Sequence, residues 1–127
     1  MTLFVEDLFA YLAAAGTSAE ERFHPFTLPQ QPTFPAATYT QVSSPRNYTH
    51  SGLTNLRQPR FQFDCYSTDY LAAHQLANEI KDALDIFAIR GGFSVQASFI
   101  EDDGRDNHDP ETGRYWVSVD AIIQTSK

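Results

Sequence analysis

Residues 60–84, RFQFDCYSTDYLAAHQLANEIKDAL, change their hydrophobic period from two to 3.6 within a few positions. In the first part Phe61, Phe63 and Cys65 fall on one face of an extended chain, while Gln62, Asp64 and Tyr66 fall on the other. This alternation predicts a strand over 60–67. Ser67, Thr68 and Asp69 then offer N-cap oxygens. Beyond them Ala73, Leu76, Ala77, Ile80, Ala83, Leu84 and Phe87 form one apolar stripe. The spacing predicts a helix over about 69–87, with Gly91-Gly92 ending the region. Burying Leu76, Ile80, Leu84 and Phe87 would contribute very roughly 6–12 kcal/mol as an upper bound.

Upstream, ATYTQVSS (residues 37–44) has strand composition, and PQQPTFP (29–35) is a connector that cannot be helical. Between the two strands, Pro45 to Asn55 is mostly polar and carries a Ser51-Gly52 turn signal, so the pair reads as an extended hairpin with a long polar tip. Leu3, Phe4, Leu8, Tyr11, Leu12 and Ala15 recur at helical spacing, with Gly16 as a C′ stop. Phe23 to Leu28 reads as a short strand, restricted by Pro25 and Pro29 to an edge or an irregular path.

Downstream, Phe93, Val95, Ala97 and Phe99 alternate with polar residues, as do Tyr115, Val117, Val119, Ala121 and Ile123. Asp109-Pro110-Glu111-Thr112-Gly113 between them reads as a turn closed by a left-handed glycine. The expected order is α-β-β-β-α-β-β. It implies an α+β fold, with an antiparallel or mixed sheet of about five strands and two helices on one face. The 127 residues suit one domain, 1–127.

Hydrophobic residues make up 42%, enough for a modest core and too many for a disordered chain. Sixteen acids against nine bases give a formal charge of −7, which argues against a protein built to grip nucleic acid. The N-terminus lacks a basic leader and holds Glu6 and Asp7 within its apolar stretch, unlike a secretion signal. No run approaches the roughly 18 apolar residues of a membrane span. The chain reads as soluble and made in the cytoplasm.

A search for chemistry yields no catalytic constellation and no cofactor. His24, His50, His74 and His108 lie far apart, none at a metal-ligand spacing from another His or Cys. There is no phosphate-cradling GxxxxGK[ST] or GxGxxG loop and no GxSxG elbow. Cys65, the one cysteine, reads as a buried thiol. The acid run from Glu101 to Asp109 lacks the spacing of a calcium loop and reads as a solvated hairpin tip or a partner-contacting loop. Three further features concern contacts. Arg46-Asn47-Tyr48-Thr49-His50 mixes a base, an aromatic and polar groups, as interfaces do. Trp116 and Ile122 share the nominally polar face of the last strand. That face needs cover, from a loop of the same chain or from a neighbouring subunit.

The ordered set of elements resembles the phage tail completion family. Three stretches carry the likeness. One is Asn47-Tyr48-Thr49-His50-Ser51-Gly52, then Leu56-Arg57 and the strand Arg60–Ser67, similar to the family's turn, glycine and R-x-Q-x-D-x-Y/F segment. The second is the helix Tyr70–Leu84, similar to A-x-x-L-A-x-x-I/V-x-x-A-L. The third is Asp109–Asp120, similar to the closing D-x-x-T-G-x-Y-x-x-x-x-D/E strand. The resemblance implies a non-enzymatic subunit of a ring, typically a hexamer, in the virion at the head–tail junction. Such a ring caps the tail tube and docks on the head connector or stopper protein. DNA passes through it without specific binding, and no membrane is involved. Arg46, Tyr48, His50, Arg57, Trp116 and Ile122 are then candidate oligomer or partner contacts, and Asp102, Asp103 and Asp106 candidate lumen-facing acids.

Simple geometry is compatible with six copies. A domain of this length is about 36 Å across, so six touching spheres leave a hole of about 36 Å, and four leave about 15 Å. A duplex on the order of 20 Å wide passes the first and not the second. Other readings remain open: another small connector or tube-type ring protein, or a small-molecule-binding domain, which would need a concave apolar pocket.

Overall fold

A computed structural model of the chain describes residues 4–43, 46–49, 52–57, 59–85 and 95–125. Helix α1 (Phe4–Ala14) leads to the short strand β1 (Phe23–Pro25) and then β2 (Ala36–Ser43). Strands β3 (Arg46–Thr49), β4 (Gly52–Arg57) and β5 (Arg60–Ser67) follow, then helix α2 (Tyr70–Asp85), β6 (Val95–Asp109) and β7 (Arg114–Thr125). The fold is α+β in the expected order, with one further pair of short strands, β3 and β4, set into the polar tip of the first hairpin. Phe87 and Gly91-Gly92 lie outside the described residues.

The strands form one sheet in the order β1-β2-β5-β7-β4-β3, with β6 paired to β7 off that path. β1 runs parallel to β2 and the other pairings are antiparallel, so the sheet is mixed. The alternation in β5 decides the layering. Phe61, Phe63 and Cys65 are fully buried and lie opposite Ala121, Val119 and Val117 of β7. Over them pack Leu8 and Leu12 of α1 and Ala73, Leu76, Ile80 and Leu84 of α2, in one apolar cluster. Both helices therefore sit on the same face of the sheet. The Tyr11 hydroxyl ties them together by donating to the Ala83 carbonyl at 2.6 Å. Cys65 is buried as expected. Burial, reinforced by the charge of Asp64, pushes its thiol far up, so it stays protonated and unreactive.

Two expectations need correction. β1 ends at Pro25, short of Leu28, because Phe26 turns to φ 65° and Thr27 N–H closes back on the Pro25 carbonyl at 2.7 Å. A bulky residue in that region costs on the order of 1–3 kcal/mol, and it ends strand pairing there. The acid run is not a hairpin tip: residues 101–109 continue β6, and only 110–113 form the turn. Polar and charged residues are tolerated there because this long outer strand pairs with β7 on one side, where backbone bonds do not depend on side-chain polarity. Gly113 takes φ 71° as the turn requires.

Candidate interaction surfaces

The face of the sheet opposite the helices collects the other half of each alternation. Register places Gln62, Asp64 and Tyr66 beside Asp120, Ser118 and Trp116, and Arg60 beside Ile122. The Ser118 hydroxyl donates to Asp64 Oδ1 at 2.7 Å, and Gln62 Nε2 donates to the same oxygen at 3.1 Å. Arg105 reaches Asp120 Oδ2 at 3.2 Å. Tyr66 and Trp116 stack with ring centroids 5.4 Å apart. Burial, and then the neighbouring Asp64 charge, push the Tyr66 hydroxyl above its ordinary value. At the same end the Arg114 guanidinium lies 5.4 Å over the Phe34 ring, so the proline-rich connector reaches this surface. Trp116 thus finds partial cover within its own chain. Ile122 is half-buried, and Phe99 of β6 is its register partner.

A second cluster arises from bulges that sequence periodicity does not reveal. Between Val95 and Ala97, Ile100 and Asp102, and Asp102 and Arg105, β6 each time carries one residue more than β7. One extra residue exchanges the two faces and a second restores them. The net of three places Asp106 and His108 on the helix side, opposite Val117 and Tyr115. Tyr70 donates its hydroxyl to Asp106 Oδ2 at 2.6 Å, and His74 Nε2 lies 2.7 Å from Oδ1. The Tyr70 hydrogen bond, then that of His74 and its charge, hold the Asp106 carboxyl below its ordinary value. His108 stacks on Tyr115 at 4.3 Å, and Tyr70 meets Tyr115 edge-on at 5.7 Å. Gly104 sits in the third bulge at φ 148°, where an added Cβ would come within 3.1 Å of the Val117 side chain.

The remaining candidates divide by position. Arg46, Tyr48 and Arg57 lie in the β3–β4 hairpin, where Arg46 is the register partner of Arg57 and Tyr48 of Leu53. This hairpin joins the rest of the sheet through the Arg57–Thr125 pair of β4 and β7. His50 lies outside the described residues. Asp102 and Asp103 lie in β6, with their backbone alone described; Asp106 belongs to the Tyr70–His74 cluster. The structure thus separates the proposed contacts into an arm (Arg46, Tyr48, Arg57) and a sheet face (Trp116, Ile122). Tyr70 and His74, which meet Asp106 across more than 30 residues of sequence, carried no sequence signal of that role. Among the described residues no group of three His, Cys, Asp or Glu side chains converges to hold a metal ion. No described helix is long and apolar enough to cross a membrane.

Comparison with known proteins gives one family. The model of the family described as Tail completion protein gp17 matches residues 6–125. No curated protein matches the chain. A match over almost the whole chain shows membership: the chain belongs to the tail completion family, whose role is structural and lies in the phage tail.

Proposed function

We propose, with that membership as premise, that the protein is a ring subunit that caps the tail tube and joins it to the head connector while leaving an axial path for DNA. The observation that carries this reading is the family match from residue 6 to residue 125, which includes both helices and all the strands apart from two residues of α1. The charge supports it. A subunit with a formal charge of −7 surrounds a phosphate backbone without holding it, whereas a basic lumen would slow transit. Asp102, Asp103 and Asp106 are the acids we assign to the lumen side. The ring carries no catalytic duty.

The test is genetic and structural. Particles made without this chain are imaged by negative-stain electron microscopy. The reading expects filled heads separate from tails, with tail tubes of uneven length. Normally joined particles of uniform tail length would rule it out. Replacing Asp102, Asp103 and Asp106 with Asn should leave the junction assembled while changing the rate of DNA ejection; loss of the assembly itself would count against their assignment to the lumen.

A further inference from the structure

The charge of this chain is unevenly distributed. Residues 46–57, which hold β3 and β4, carry two arginines and no acid. With the whole chain at −7, the remainder therefore carries −9. Within the arm, Arg46 and Arg57 are register partners in the backbone. Among the described residues the arm pairs with the rest of the sheet at Arg57–Thr125.

On the helix side lies a groove with the reverse character. It runs between the end of α1 and the second half of α2 and has a volume of about 500 Å3. Tyr11, Ala14, Ala15 and Ala83 give it an apolar lining, while Glu79 and Asp82 supply two carboxylates and no basic side chain lines it among the described residues. Ser18 donates both its N–H and its hydroxyl to Glu79 Oε1, at 2.9 and 2.7 Å, which fixes that carboxylate in place. The last turn of α1 has no basic residue, so the carbonyl ends of the helix add negative potential at the same spot.

We infer that this groove receives the β3–β4 arm of a second copy of the chain. The inference rests on the ring reading and names the contact that would build the ring. Charge complementarity selects the occupant: an arm of two arginines and an acid-lined groove occur on different elements of one chain, so every copy offers both halves. An arm seated on the next copy's groove is a head-to-tail interface, which closes into a ring when the rotation allows. The contact also offsets the repulsion between acidic subunits.

Two full-length variants test it by light scattering over a concentration series at low salt. One reverses the arm (Arg46→Glu with Arg57→Glu); the other reverses the groove (Glu79→Lys with Asp82→Lys), each first shown to be folded by circular dichroism. Each alone should self-associate at least about tenfold more weakly than the wild type. Mixed in equal amounts they should assemble again, because the reversed arm fits the reversed groove and the native arm fits the native one. Recovery on mixing also demonstrates that both variants are folded, and the neutral pair Arg46→Gln/Arg57→Gln and Asp82→Asn should weaken association in the same order. Wild-type association by either reversed variant, or failure to recover on mixing, overturns the proposal. So does a wild type that stays monomeric up to about 1 mM, a range that registers even a weak contact. That last outcome leaves the tail-capping role itself to the particle test above. If the arm variant assembles normally but loses retention on duplex DNA, the arm is a nucleic-acid contact and the proposal fails.

Discussion

Strands β5 and β4 both pair with β7, and they do so in opposite ways. β5 runs beside β7 over eight register pairs and buries every second side chain under the helices. Among the described residues β4 meets it at one pair, Arg57–Thr125. The first contact encloses Phe61, Phe63 and Cys65 and supplies the hydrophobic driving force of the fold. The second brings in two opposed arginines and no described core residue. The difference separates what holds the subunit together from what the subunit holds out to others.

Substitutions that distinguish the two regions sharpen this contrast. The largest effect is expected from Phe63→Ala, which empties a fully buried site between the sheet and the helices. It should lower stability by about 3–5 kcal/mol in denaturant unfolding. A loss below about 1 kcal/mol would mean that this strand is not the centre of the core. Gly104→Ala comes next, since it forces a side chain onto a left-sided backbone and against Val117. A cost of about 1–3 kcal/mol is expected, measured by thermal melting.

A smaller effect concerns Asp106. Its carboxyl is held below the ordinary value in the folded chain, so its contribution is present above the unfolded carboxylate pKa and is lost as pH falls through the folded one. Asp106→Asn should therefore flatten the acid limb of a melting-temperature profile while leaving the neutral-pH fold intact. An unchanged acid limb would show that the Tyr70–His74 contacts do not couple to folding. The smallest change in stability is expected at the arm, where Arg46→Glu with Arg57→Glu should move the unfolding free energy by no more than about 0.5 kcal/mol. A large loss there would place the arm inside the folding unit and dissolve the contrast between the two regions.

The same contrast explains what could be read before the structure. β5, α2 and β7 were legible because one face of each is buried, and burial writes a period of two or 3.6 into the sequence. The arm reads as a polar tip because Pro45 to Asn55 is mostly polar and shows no apolar alternation. β6 was misread in its second half for a different reason. Its bulges shift the register between Ile100 and Arg105, so no single period runs through Glu101–Asp109. The Tyr70–His74–Asp106 cluster depends on the net of the three shifts in β6 and on a helix far away in sequence, and neither leaves a local pattern. Trp116 is a large side chain on the polar face of β7. The partner found for it is Tyr66, one strand over, which the matching alternation of β5 and β7 could have suggested.

The central claim is that copies of this chain form the ring between tail tube and head. Electron cryomicroscopy of intact joined particles tests it most directly, by fitting this fold into the density at the junction. The account predicts a single ring of about six copies at the head-proximal end of the tube, around an open axis. Absence of the fold from that junction, or its repetition along the length of the tube, would contradict it.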